Sequence, residues 1–192
     1  MNWISAVNQM SGSITSGILP SEQLLRDISY KCSIDRSTSD LKITEDIVNS
    51  VIADSKAYES MVLDNTELSK FCYRIKTEDS IRRKLLSRDI LKFQTVFNDI
   101  LGIRVKVDTY PETYPDYYRV VDLRSGKKND DGYRAVHLYY KLDNYHYIIE
   151  VQLWSSKDYK FNSWSHKNGY KIKSREELLA IREEYDKGGL LS

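Results

Sequence analysis

Between Asp130 and Trp154 the sequence spells two strand-like runs around a turn, and this stretch restricts the fold more than any other. The first run is Gly132-Tyr133-Arg134-Ala135-Val136-His137-Leu138-Tyr139-Tyr140-Lys141; the second is Tyr145 to Trp154. Asp143-Asn144 supplies turn residues between them, which predicts an antiparallel pair. Side chains alternate along a strand. Tyr133, Ala135 and His137 therefore share one face, and Val136, Leu138 and Tyr140 the other. In the second run Ile149, Val151 and Leu153 oppose Glu150 and Gln152. One face reads as core, while the other carries a phenol, an imidazole, a carboxylate and an amide. A glutamate in an apolar strand is costly unless it is paired, solvated or bound to a metal. A pair of strands with one wet face would give the same pattern, so the hairpin alone leaves both readings open.

Composition narrows the class. A chain of 192 residues is long enough for one domain with a substantial core. Its net charge of +1 exerts no general pull on nucleic acid or membrane, so any electrostatic site must be local. No apolar run is long enough to span a bilayer, and the N-terminus lacks the pattern of a secretion signal. The expected setting is cytoplasmic, without membrane association. Cys32 and Cys72 have no metal-ligand spacing and read as buried thiols in a reducing compartment.

Residues 1–66 read as a helical layer packing on a sheet, and 67–192 as the domain that carries the chemistry. Pro20-Ser21-Glu22 opens a helix, and Leu41 to Leu63 forms a longer one with Ile43, Ile47, Val48, Val51 and Ile52 on one side. Phe71 to Lys76 reads as a strand. Thr77 stands in the N-cap position of the next helix, with Glu78 and Asp79 in its first turn. Arg74 and Lys76 share a strand face, and Ser80 and Lys84 lie one helical turn apart. Three cations and a hydroxyl thus converge where a strand enters a helix, a place suited to phosphates. A solvated basic helix would show the same residues.

Asn98 to Val107 reads as a strand opened by Asp99, with Gly102 marking a bulge or the close approach of another group. Tyr117 to Leu123 is a further strand, and 124–131 a mobile polar loop. After Trp154 one helix carries Phe161, Trp164 and His166, and a last one runs from Arg175 to Tyr185. Lys160, Lys167, Lys171, Lys173 and Arg175 form a basic cluster suited to a nucleic-acid backbone or to solvent. His146 and His166 read as structural.

Taken in order, Arg74-Ile75-Lys76, Ser80 and Lys84, Asp99 to Arg104, Gly132 to His137, Glu150-Val151-Gln152, and Trp164 and His166 before Tyr170-Lys171 resemble the RelA/SpoT-type synthetase domain. The likeness is to the small single-domain alarmone synthetases in particular and covers about half the chain, Phe71 to Lys171. It implies an α+β fold, with a nucleotidyltransferase-like mixed sheet flanked by helices. It also implies an enzyme that moves pyrophosphate from ATP to a ribose 3′-hydroxyl. By this resemblance Arg74 and Arg104 would flank the adenine, and Lys76, Ser80 and Lys84 would hold the phosphates. Asp99 would bind magnesium, with Glu150 as second ligand or as the group activating the hydroxyl. Tyr133 would stack on the acceptor base, and His137 and Gln152 would help to position the acceptor. Such chemistry needs positioning, a metal and surrounding cations rather than covalent help, which agrees with the residues present. Magnesium favours one or two carboxylates completed by phosphate and water oxygens.

The chain also departs from the family. The segment before Gly132 lacks the family's prolines. Where the family places a basic residue and a threonine after Glu-x-Gln, Trp154 and Ser155 stand. The family's long C-terminal helices are missing. In these features the chain resembles the toxic branch, some of whose members pyrophosphorylate the 3′-terminal adenosine of tRNA and are paired with an antitoxin protein. The tRNA 3′ end is therefore the expected acceptor, ahead of GDP or GTP. A catalytically silent nucleotide- or tRNA-binding module is the remaining alternative.

Overall fold

The computed structural model describes residues 41–42, 44–64, 72–86, 90–91, 98–116, 118–140, 148–169 and 173–191. The predicted helix after Pro20, the Asp143-Asn144 turn, Cys32, His146 and Lys171 lie outside the described residues. The architecture is α+β, with a five-stranded mixed sheet flanked by helices, as the sequence led one to expect.

In chain order the elements are β1 (Leu41–Lys42), α1 (Glu45–Asp64), β2 (Cys72–Ile75), α2 (Glu78–Leu86), β3 (Ile90–Leu91), β4 (Leu101–Val107) and β5 (Tyr118–Asp122). Then follow β6 (Val136–Tyr140), β7 (Ile149–Ser155), α3 (Ser156–Trp164), a π-helical turn (Ser165–Gly169) and α4 (Arg175–Asp186). The large sheet has the order β2-β4-β7-β6-β5, and β1 and β3 form a separate antiparallel pair. The chain divides into two compact units. One comprises Met1–Arg104 with Tyr139–Val151, the other Val105–Leu138 with Gln152–Ser192.

In the first unit, α1 starts later than the hydrophobic spacing suggests, because Leu41–Lys42 is drawn into β1 and Thr44 caps the helix. The Ile47 amide donates to Thr44 Oγ1 at 3.3 Å. Ile47, Val48, Val51 and Ile52 are buried, as their spacing predicts. Ile81 and Leu85 of α2 are buried too, and α1 packs against α2 and β2. Strand β2 runs antiparallel to β4, with Arg74 opposite Gly102 and Cys72 opposite Arg104. Cys72 is exposed rather than buried, because among the described strands β2 has a neighbour on only one side.

In the second unit, Val136 and Leu138 fill one face of β6, and both they and Ala135, just before the strand, are fully buried. Segment 132–134, read from sequence as strand, has left the ladder; β6 starts at Val136, and the Ala135 carbonyl before it still accepts from the Leu123 amide at 2.9 Å. The 124–131 loop, read as mobile, is fastened at both of its aspartates. Asp130 takes both terminal nitrogens of Arg134 at 2.7 and 2.8 Å and accepts from the Gly132 amide at 2.9 Å. Asp131 accepts from the Tyr133 amide at 3.1 Å and from Lys127 at 2.7 Å.

The same unit buries Asp158, to which Tyr110 donates its hydroxyl proton at 2.8 Å. Burial and this bond to a carboxylate push the Tyr110 phenol up to about 12. In the unfolded chain it titrates near 10. The folded state thus holds the proton more tightly, and this stabilisation is complete below about pH 10 and lost as pH rises toward 12. Urea denaturation at about pH 9 and pH 11 should show a loss of stability that is smaller in Tyr110→Phe.

Candidate active site

The end of β2 and the start of α2 carry the cations. Lys76 follows the last residue of β2, and its amide still donates to the Ile100 carbonyl at 2.9 Å. Its own carbonyl accepts from the buried Ser55 hydroxyl of α1 at 2.8 Å. Two elements therefore fix the backbone of Lys76. Thr77 occupies the N-cap position, where its carbonyl accepts from the Ile81 amide at 2.9 Å, and its hydroxyl donates to Ser80 Oγ at 3.0 Å.

Asp99 sits in the turn before β4, not within the strand. The turn aims its carboxylate at three cations. Lys76 donates to Oδ2, Lys84 donates to Oδ1 at 2.8 Å, and an Arg74 nitrogen lies 3.7 Å from Oδ2. Burial alone would raise the Asp99 pKa, but Lys76 and Lys84 outweigh it and hold the carboxyl below the ordinary range. Burial is also the main influence on Lys76. It lowers the ammonium from its ordinary value, with Asp99 opposing and Lys84 and Arg74 adding to the effect.

Around these groups lies a cavity of about 430 Å³, lined by Arg74, Ile75, Lys76, Thr77, Ser80, Arg83, Lys84 and Asp99. This lies within the range of small-ligand pockets, roughly 300–1,000 Å³. Five residues picked out in the sequence thus meet around one cavity: Arg74, Lys76, Ser80, Lys84 and Asp99. Thr77 and Arg83 were missed. Thr77 was read only as a cap, and Arg83 stands beside Lys84, where helical spacing turns neighbours apart.

Arg104, half-buried on β4, and Glu150 do not line that cavity. Glu150 is only 5 % exposed, which removes the wet-face reading of β7. Its Oε1 accepts from the Tyr139 hydroxyl at 3.0 Å, and its Oε2 lies over Gly102. A methyl group at Gly102 would come within 3.7 Å of that oxygen and 3.8 Å of the Arg74 carbonyl. These are ordinary contact distances, so Gly102 lies beside the Glu150 carboxylate without being required by it.

Asp99, in the turn before β4, and Glu150, on β7 beside β4, each offer hard, anionic oxygens. Among the described residues no group of three or more His, Cys, Asp or Glu could hold a metal. Carboxylates of this kind suit an ion that takes one or two of them and draws its other ligands from phosphate and water. Magnesium is such an ion.

In the second unit, Tyr133, His137 and Trp154 form a connected group. Trp154 Nε1–H donates to the Tyr133 hydroxyl at 2.9 Å, and that hydroxyl is 2.9 Å from His137 Nε2. Trp154 is fully buried and stacks on His166 at 14°, with ring centroids 5.6 Å apart. Tyr133 does not present the open stacking face expected of it. It is 4 % exposed, and the Lys127 ammonium lies 4.6 Å above its ring, placed there by Asp131. A base reaching that face must first displace Lys127. Gln152 is half-buried on β7. Lys160, Lys167, Lys173 and Arg175 are exposed along α3, the π-helical turn and the start of α4.

No protein-family model matches the sequence, and no curated protein matches it. Among solved structures, the chain is similar to small alarmone synthetase 1 from Bacillus subtilis bound to its product pppGpp. The two share 19% identity over 73% of this chain and 87% of the other, with a TM-score of 0.46. It is similar to small alarmone synthetase 2 from Bacillus subtilis at 21% identity, over 74% of this chain and 94% of the other, with a TM-score of 0.46. It is also similar to a GTP pyrophosphokinase family protein from Streptococcus pneumoniae at 17% identity, over 73% and 85% of the two chains, with a TM-score of 0.41.

Proposed function

We propose that this protein is an ATP-dependent pyrophosphokinase that transfers the β,γ-diphosphate of ATP to a ribose 3′-hydroxyl. The observation that carries the reading is the cavity in which Lys76, Lys84 and Arg74 converge on Asp99. Cations so placed bind and orient a triphosphate, and Ser80 and Thr77 add hydroxyls at the mouth of α2. In the free protein the lysines are paired with Asp99. Phosphate oxygens take over those lysines on binding, which frees the Asp99 carboxylate.

Asp99 and Glu150 would hold magnesium, which when bound neutralises charge developing on the phosphates. Glu150, buried and steadied by Tyr139, is the group to accept the proton of the attacking hydroxyl. The bond that forms joins the 3′-oxygen to the β-phosphorus. The bond that breaks joins that phosphorus to the α,β-bridging oxygen, which leaves with AMP.

For the acceptor we favour the 3′-terminal adenosine of tRNA, as in a translation-inhibiting toxin held in check by an antitoxin. A tRNA end presents a nucleoside whose phosphate charge lies elsewhere along a strand. Trp154, where the family places a cation, is fully buried behind Tyr133 and offers no charge to a free nucleotide. The exposed Lys160, Lys167, Lys173 and Arg175 suit a polyanion. One observation favours GDP or GTP instead: the Lys127 ammonium on the Tyr133 ring is a cation within reach of a nucleotide's own phosphates.

Incubation with γ-labelled ATP and magnesium, with deacylated tRNA, GDP or GTP supplied separately, tests both levels. Label on tRNA is the expected result. Label on GDP or GTP alone transfers the conclusion to alarmone synthesis. Label on no acceptor ends the enzymatic reading and leaves a binding module.

A further inference from the structure

We propose that Asn162 and Arg182 are positioning residues that hold the Gly132–Arg134 segment, and with it Tyr133, in register for the acceptor nucleoside. The inference rests on the reading of Tyr133 as part of the acceptor site.

Segment 132–134 has left the sheet: Ala135 still offers its carbonyl to the Leu123 amide at 2.9 Å, but Gly132 and Arg134 need partners other than a neighbouring strand. Two helices supply them. Asn162 of α3 is fully buried, and its amide does what a paired strand would do. Nδ2–H donates to the Arg134 carbonyl at 2.8 Å, and Oδ1 accepts from the Arg134 amide at 3.4 Å. Arg182 of α4 is 3 % exposed and donates to the Gly132 carbonyl at 3.4 Å.

Arg182 has little freedom to move. It donates to Asp158 at 2.6 Å and to the two oxygens of Asp186 at 2.9 and 3.1 Å. Its guanidinium lies 5.1 Å from the Phe161 ring centroid and 5.8 Å from that of Tyr185. Asp158 in turn accepts from Ser155 Oγ at 2.6 Å and from Tyr110 at 2.8 Å, and the Tyr110 hydroxyl is also 3.2 Å from the Arg134 carbonyl. At the far end of the tyrosine, Trp154 and His137 fix the hydroxyl. Tyr133 is thus held at its backbone and at its tip.

Buried ion pairs are a poor source of stability, since apolar residues of similar volume serve as well or better. What they provide is geometry: a buried polar group left unpaired carries a desolvation penalty, so the segment is driven to the path that satisfies all of them. Asn162 and Arg182 were not singled out as site residues in the sequence, because nothing at positions 162 and 182 points to positions 132 and 134.

The test is Asn162→Ala in the full chain, with Leu178→Ala as a control that removes core packing from the same unit and no polar contact. Kinetics use ATP and whichever acceptor the labelling experiment identifies, well below the melting temperature of each variant. In Asn162→Ala the acceptor KM should rise about tenfold while that for ATP holds within about twofold. Leu178→Ala should melt earlier with both constants unchanged. The Trp154 indole N–H resonance, assigned from Trp3→Phe and Trp164→Phe spectra, gives a reading independent of activity. It should move in Asn162→Ala, because its acceptor is the Tyr133 hydroxyl. An unmoved resonance with an unchanged acceptor KM overturns the positioning role. A moved resonance with an unchanged acceptor KM shows that Tyr133 is held but does not serve the acceptor, and overturns the proposal at that point. Failure of the wild-type protein to label any acceptor is a different result and counts against the enzymatic reading itself.

Discussion

Asp99→Asn is expected to lower pyrophosphate transfer by about a thousandfold while leaving ATP affinity unchanged or improved. The substitution keeps the shape of the side chain and removes its charge. Lys76 and Lys84 then lose the carboxylate that occupies them in the free protein, and the cavity presents uncompensated cations to an incoming triphosphate. On the proposed reading ATP then meets no competitor for these lysines, whereas the site loses one of the two carboxylates assigned to magnesium. The variant should also melt earlier, because Lys76 stays buried among cations with its partner gone. Labelled transfer and calorimetric nucleotide titration check the two halves. Normal transfer would remove Asp99 from the chemistry, and equal loss of transfer and ATP binding would mean that Asp99 merely holds the cavity open.

Gly132→Ala should cost about 3 kcal/mol of stability, a melting point lower by roughly 6–12 °C for a chain of this length. Two effects add. Gly132 has φ +79°, where a side chain is strained, and an added Cβ would lie 2.7 Å from the Arg182 Cβ and 2.9 Å from Phe161 Cζ. Neither neighbour can yield easily, since Arg182 is locked by Asp158 and Asp186 and Phe161 is fully buried. Thermal and urea melts provide the measurement. A loss below about 1 kcal/mol would mean that the 132–135 segment is free to shift, and would undercut the case that its path is enforced.

How much of this was visible beforehand depended on the range of the interaction. The donor cavity was legible because its parts are nearly local. Arg74 and Lys76 alternate on one strand, Thr77 begins a helix, and Ser80 and Lys84 repeat at its period, so short-range geometry brings four of them together. Asp99 lies with them at the cavity, in the turn before β4 and not within the strand. Glu150 stood out because an acid in an apolar strand must be explained. The acceptor side was read less well. Tyr133 was assigned to a strand with a free face, but the segment bends away and Lys127 covers the ring. Cys72 was expected inside and lies on an edge, because edge position follows from sheet order, which the spacing of one strand does not reveal.

Periodicity, capping residues and the alternation of apolar with polar side chains were enough to place the cores of the described helices and of the long strands, and to show which cations gather at the start of α2. Those are consequences of backbone geometry over a few residues. Tertiary structure alone decided the burial of Glu150, the covering of Tyr133, and the buried carboxylate and amide of Asp158 and Asn162 that serve residues far from them in the chain. Each is a polar group removed from water, and only the completed fold determines what replaces the water.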